Sequence, residues 1–388
     1  GSSSVEIEFK TLRKLEHPYI YYNKQQWEET KAKIDRYPQF KAGYDQIITD
    51  AEAWIVKPPL PLAERDYCYD TREEHYIMSA AYAYALTKNR KYAEKVAAFL
   101  RYFIDEETGY PKKKKGCSQS YVQEGHFFQH LAIPYDIIYD ADVLTEDEHK
   151  GVENAFRIYM YILDTHIRNG HISNWLLSEI TGAFYCALAI EDIDLVLRFL
   201  EGPGGIIQQF RFGAFNDGWW HECSVGYNVW VSSMMIHVAH AMLPLGINLL
   251  HTHFPISYSD EVNSTYNGEP AAFRFGMYNK KWGGNLKSYI CIKDMFDATI
   301  PFLDYRGVLF GLSDSDEKKL EGVHFGSTFD LAYTYYKDPE YIPIIRQNSY
   351  ADPIFGHGEL PEYESKYKKY NAYADSVGVA MLRIQTEG

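Results

Sequence analysis

The feature that most restricts what this chain can fold into is a succession of amphipathic helical segments joined by short polar turns. From about residue 24 to residue 350, apolar residues recur at helical spacing. Residues 25–37 carry Trp27, Thr30 and Ile34 among charged neighbours and end before Pro38; residues 73–86 carry Tyr76, Ile77, Ala80, Ala81 and Tyr84. Residues 87–103 open on a polar turn and continue as an amphipathic helix. The same reading predicts helices over 123–139, 147–165, 175–190, 225–243 and 271–277, then near 320–336 and 340–347. Connections as short as Thr87-Lys88-Asn89-Arg90 and Leu144-Thr145-Glu146-Asp147 favour antiparallel hairpins. Many hairpins of unequal length predict a mainly helical (α/α) toroid, closed or nearly so, with a cleft where the inter-helix loops converge.

The end of the chain changes character. In NAYADSVGVAMLRI (371–384), Val377, Val379, Met381 and Arg383 alternate with other residues, a strand signal that follows a polar, Tyr-rich stretch. The expected division is an N-terminal extension over 1–23, beginning with Gly-Ser-Ser-Ser as a tag remnant, and a toroid over 24–350. A linker over 351–370 and the first strand of a truncated or absent β-sheet domain over 371–388 complete it.

Composition narrows the function. The chain has 34 Tyr, 21 Phe and 7 Trp, and 16% aromatic residues suit both wide helix–helix seams and stacking on sugar rings. A net charge of −14 argues against a nucleic-acid partner, which calls for a basic face. It leaves room for an acidic sugar, because a local group of cations can line a cleft in an acidic protein. The one basic run, Lys112 to Lys115, reads as a solvated loop. Five cysteines without CxxC spacing indicate neither a disulfide framework nor a zinc ribbon, and Cys186 and Cys223 read as buried thiols. No apolar run is long enough to span a membrane.

Two segments concentrate chemistry. In RNGHISNWLLSEITGAF (168–184), Ser173 or Asn174 is placed to cap an apolar helix, and His171 reads either as a loop histidine or as a functional one. In FNDGWWHECSVGYNVWV (215–231), a turn at Asn216-Asp217-Gly218 is followed by Trp219, Trp220, His221 and Glu222, then by Ser224 and Tyr227 opening a helix. Packing rarely needs two Trp, a His and a Glu beside a turn, so these residues are expected to line the cleft. His237, His240, His251 and His253 lack an acidic partner at metal spacing and read as packing or surface groups. The Gly-Pro-Gly-Gly at 202–205 lacks the Lys-Ser/Thr of a phosphate loop, and no GxSxG is present.

These segments resemble the heparinase II/III-like polysaccharide lyases and their alginate- and heparin-degrading relatives. The likeness is carried by SNW (173–175), DGWWHECSVGY (217–227), FGLSDSD (310–316) and YADSVGVAMLR (373–383), and extends over roughly residues 76–383. It implies an incomplete (α/α) toroid followed by an antiparallel β-sandwich, acting on uronic-acid glycans by β-elimination. It also implies Asn174 as the carboxylate neutraliser, Tyr227 as the proton-transferring residue and a histidine, His357 or His171, on the opposite face. Trp175, Arg211, Trp219, Trp220, His221, Glu222 and Arg306 are the expected substrate-binding residues. A tyrosine with its usual pKa near ~10 becomes a base only if cations lower it, which is the role expected of Arg211 and Arg306.

No catalytic metal or other cofactor is expected, although a structural metal is compatible with a missing β-domain. The partner is an acidic polysaccharide or oligosaccharide, and the resemblance implies a periplasmic or secreted location. Two other function classes fit the same residues. One is a glycoside hydrolase pairing Asp217 and Glu222 with Asp314 or Asp316. The other is a non-catalytic glycan-binding protein.

Overall fold

The computed structural model describes residues 15–59, 71–107, 109, 121–167, 172–255, 265–266, 269–270, 289–320, 328–348 and 351–384. The basic run at Lys112 to Lys115, His171 and the helix expected at 271–277 lie outside the described residues.

The protein is mainly helical. The helices are α1 (Lys24–Arg36), α2 (Lys41–Ala53), α3 (Thr71–Thr87), α4 (Arg90–Ile104), α5 (Tyr121–Ile138) and α6 (Glu146–Ile167). They continue as α7 (Asn174–Ala189), α8 (Ile193–Glu201), α9 (Ile206–Gly213), α10 (Val225–Met242), α11 (Ile292–Thr299), α12 (Thr328–Tyr336) and α13 (Ile342–Ile345). Consecutive pairs fold back on each other as hairpins, giving the (α/α) toroid. Local chemistry sets the helix ends. Asn23 and Gln26 form a reciprocal capping box on α1, and Asn89, Ser173, Asp192 and Ser224 cap α4, α7, α8 and α10. Lys88 and Glu191 take left-handed conformations just after α3 and α7, which turns the chain sharply into the next helix.

Burial separates the layers. In α4 a single stripe, from Tyr92 to Phe103, faces inward. In α7 every residue but Trp175 is buried, and α10 is buried through most of its length, so these two helices form the inner wall. The inner helices run close. A Cβ on Gly125 of α5 would stand 2.3 Å from the Ser178 carbonyl oxygen, and one on Gly182 of α7 would stand 2.5 Å from that of Gly125. Only glycine lets these two backbones touch. Gly125 opposite Ser178 and Phe128 opposite Cys186 make α5 and α7 parallel. The pairs Ser233–Thr328 and His240–Tyr335 make α10 and α12 parallel too.

Among the described residues the strands form four short antiparallel ladders: β1 (Phe254–Pro255) with β4 (Tyr289–Ile290), β2 (Thr265–Tyr266) with β3 (Glu269–Pro270), β5 (Val308–Leu309) with β6 (Lys318–Lys319), and β7 (Ala372–Ala374) with β8 (Val379–Met381). The terminal segment is therefore a hairpin, where one continuous strand was expected. Residues 375–378 turn, with Gly378 at φ 68°, and the Asp217 carboxylate accepts the Ser376 N–H at 3.0 Å to hold that turn. Arg383 donates to the carbonyls of Pro301 and Leu303, seating the hairpin on the toroid.

The stretch 351–370 is packed against the helices and does not behave as a free linker. Phe355 is buried among Tyr21, Tyr22, His237 and His240, and Lys33 donates to the carbonyls of Ile354 and Gly356. Residues 15–23, just before α1, likewise pack into the core. The buried Asp136 carboxylate accepts the backbone N–H groups of Tyr19 and Ile20 and meets His17 Nδ1 at 2.7 Å.

Candidate functional site

The N-terminal ends of α7 and α10 meet on the inner wall, and most of the chemistry gathers there. Ser173 takes the N-cap of α7, its hydroxyl accepting the Leu176 N–H at 3.1 Å. Asn174 is thereby the first residue inside the helix and its amide is released from capping. That amide is 1% exposed, and neither its oxygen nor its nitrogen has a hydrogen-bond partner. A buried amide left in this state costs about 1–3 kcal/mol.

Glu222 ties the turn before α10 to the start of α7. Its carboxylate accepts the Trp220 indole N–H at 2.6 Å and the backbone N–H of Asn174. Burial raises its pKa and the nearby Asp314 charge adds to this, while the two hydrogen bonds oppose them. Tyr227 begins the first turn of α10, with its backbone N–H capped by the Ser224 hydroxyl. Its phenol donates to Asp314 Oδ2 at 2.5 Å. Asp314 lies in the loop of the β5–β6 hairpin, and the adjacent Ser315 hydroxyl accepts the Gly226 N–H at 3.2 Å, docking that loop on the start of α10. The Asp314 hydrogen bond, burial and the negative charges of Asp314 and Glu222 push the Tyr227 pKa up to about 12.

Trp230, one turn further along α10, extends the site toward α5. Its indole N–H donates to His126 Nε2 at 3.2 Å, and His126 lies 6.0 Å from His130 between ring centres. His130 Nδ1 faces the Glu74 carboxylate at 2.9 Å. In the neutral tautomer that contact calls for, the proton is on Nδ1 and the lone pair on Nε2.

The expected residues divide. Asn174, Glu222 and Tyr227 come together, and Trp175, 47% exposed, stands beside Asn174 on the outer side of α7. His221 is half-buried, with its ring against Trp220. Trp219 and Trp220 are corrections, because they are 1% and 0% exposed and form core instead of a stacking platform. The turn at Gly218, with φ 88°, directs them inward, where Trp219 meets Phe302 and Trp220 packs on Gly213 of α9. Their large apolar area outweighs the polar character of the segment around them.

The arginines are a second correction. Arg211 Nε donates to the Pro255 carbonyl at 2.7 Å, and Arg306 pairs with Asp304 in its own turn at 2.7 Å. The charges that act on Tyr227 are negative and raise its pKa, where cations were expected to lower it. His357 is not brought to this cluster. Its Nε2 meets the Asp330 carbonyl at 2.9 Å and Thr334 Oγ1 at 3.4 Å. The α10–α12 pairings put this level about 15 Å along the helix axis from Tyr227, at ~1.5 Å per residue. Asp217 is held by Ser376 and Trp219 and serves the tail hairpin.

No family model and no curated protein matches this sequence. Among solved structures, the chain is similar in fold to an alginate lyase from Bacteroides ovatus, with a TM-score of 0.62 and 13% identity over 88% of this chain and 99% of that one. At that identity the likeness is one of fold, and it accords with the toroid described above.

Sequence reasoning missed His126, His130 and Glu74. The signal was present in QEGHFFQH (123–130), where two histidines four residues apart share one helix face. Without knowledge of which face looks into the cleft, that spacing is equally ordinary packing. Among the described residues no helix is long and apolar enough to cross a membrane, and no group of three or more His, Cys, Asp or Glu is arranged to hold a metal ion.

Proposed function

We propose that this protein is a polysaccharide lyase of heparinase II/III-like type that cleaves a uronic-acid-containing glycan by β-elimination. The observation that carries the reading is the orphaned amide of Asn174, buried at the start of α7, with the Glu222 carboxylate on its backbone N–H and its charge acting on the Tyr227 phenol. A uronate carboxylate can accept from that amide, and a sugar hydroxyl can donate to it. The positive end of the helix dipole adds to the stabilisation as charge builds on the carboxylate. The likeness in fold to an alginate lyase supports the same reading.

In this reaction a base takes the C5 proton, the C–H electrons form the C4–C5 double bond, the C4–O4 bond breaks, and O4 receives a proton. Tyr227 enters carrying its proton, which suits it to protonate O4. The acceptor for the C5 proton is drawn from α5. His130, with Glu74 on Nδ1, presents the lone pair of Nε2, and His126 lies between it and Trp230. Each such proton transfer contributes roughly 10² to 10⁴-fold in rate. Trp175, next to Asn174 and 47% exposed, can stack on a neighbouring sugar. The reading is tested by incubating the protein with a panel of uronate polymers and following the ultraviolet absorbance of unsaturated ends. Tyr227→Phe is expected to abolish that signal with the fold intact, and activity retained in the variant removes Tyr227 from the mechanism.

A hydrolytic reading has one observation in its favour: two carboxylates, Glu222 and Asp314, both act on Tyr227, and burial raises the pKa of the first. Product mass separates the two reactions, since hydrolysis adds water across the cleaved bond and elimination does not.

A further inference from the structure

We infer that Asp314, carried on the loop of the β5–β6 hairpin, is the positioning residue that aims the Tyr227 phenol and keeps it supplied with its proton. The inference rests on the lyase reading for its functional meaning, but its physical content is independent of any substrate. Two contacts fix the loop to the first turn of α10: Tyr227 Oη to Asp314 Oδ2 at 2.5 Å, and Gly226 N–H to Ser315 Oγ at 3.2 Å. The backbone contact sets where the loop sits, so the carboxylate meets the phenol at a defined place. The side chain of Tyr227 is only partly buried and, without this contact, has solvent to turn into. The neighbouring carboxylate Glu222 is directed elsewhere, toward the Trp220 indole and the Asn174 N–H, leaving Asp314 as the phenol's acceptor. A phenol bound to a carboxylate is held in its protonated form, because losing the proton would put two negative charges against each other. The loop is thus a proton-holding device, suited to a residue that must give a proton to a leaving oxygen.

The test uses the full chain with ¹³Cζ-labelled tyrosine, the Tyr227 resonance being identified by its loss in Tyr227→Phe. In Asp314→Asn the Tyr227 pKa is expected to fall from about 12 toward the ordinary ~10. Asp314→Glu is expected to restore it in part. With a cleaved substrate, turnover by Asp314→Asn drops ten- to a hundredfold, roughly the effect of a misaligned reacting group, with little change in KM. The alkaline limb of its pH profile also moves down in step with the titration. A Tyr227 titration unmoved in Asp314→Asn overturns the inference. If the titration moves but the wild-type protein yields no unsaturated product from any uronate polymer, the Asp314–Tyr227 coupling stands and the lyase reading falls.

Discussion

Replacing Asp330 by Asn is expected to make the protein more stable, by an amount that grows with pH. Asp330 lies in α12, is 1% exposed, and its Oδ2 has no hydrogen-bond partner. Burial, with the Asp352 charge adding and the Lys33 charge opposing, raises its pKa from 3.8 to about 8. For an acid raised in this way, the folded state keeps a proton that the unfolded state gives up. Stability is therefore full at low pH, falls as pH rises from about 4 to about 8, and is level above that. Each pH unit in that window costs about 1.4 kcal/mol, so pH 5 to pH 8 costs about 4 kcal/mol. Asn has the shape of the protonated acid and no proton to lose, which removes the slope. Urea unfolding followed by tryptophan fluorescence at pH 5, 6, 7 and 8 gives the difference between variant and wild type. It should widen steadily toward pH 8. A difference independent of pH, or a variant less stable than wild type at pH 8, refutes the argument that an unpaired buried carboxyl weakens this region. The region matters because Thr328 of α12 meets Ser233 of α10, the helix that carries Tyr227 in its first turn.

Other expectations are simpler. Asn174→Ala should leave stability unchanged or raised, since neither side-chain atom is bonded, yet lower activity by roughly 10² to 10³-fold, as loss of a preorganised donor does; thermal unfolding and initial rates on one preparation show both. Trp175→Ala should shift stability by no more than about 0.5 kcal/mol and raise KM, whereas Trp220→Ala, which empties a buried site, should cost about 3–5 kcal/mol in denaturant titrations. His130→Ala should lower turnover by at least about 10²-fold without loss of helical circular dichroism, and unchanged turnover would remove the α5 histidine as the proton acceptor.

Much of the fold was legible in advance because helix formation is written in spacing. The expected segments at 25–37, 73–86, 123–139 and 225–243 match α1, α3, α5 and α10 within two residues at either end. The helices α2, α8, α9 and α11 were passed over. All four have only 8–13 residues, so their amphipathic stripes are too brief to stand out from their neighbours, and α9 is also flanked by glycines. Ser173 and Asn174 were interchangeable as caps on paper. Only the seating of Ser173 on Gln209, through its backbone N–H at 3.1 Å, gives the cap to the serine and releases the amide.

By itself, then, the sequence determined periodicity, turn positions and the presence of Asn174, Glu222 and Tyr227 in two polar segments at helix starts. Tertiary structure alone decided which way each side chain looks. It sent Trp219 and Trp220 into the core, turned Arg211 to the Pro255 carbonyl, held His357 against the Asp330 carbonyl of α12, and brought Asp314 from a distant hairpin onto the phenol. Periodicity is a local property of the chain, fixed by neighbours three and four residues away. The direction of a side chain and the sign of the charge beside it depend on residues distant in the chain, 44 positions for Arg211 and 87 for Tyr227, which only packing brings within a few ångströms.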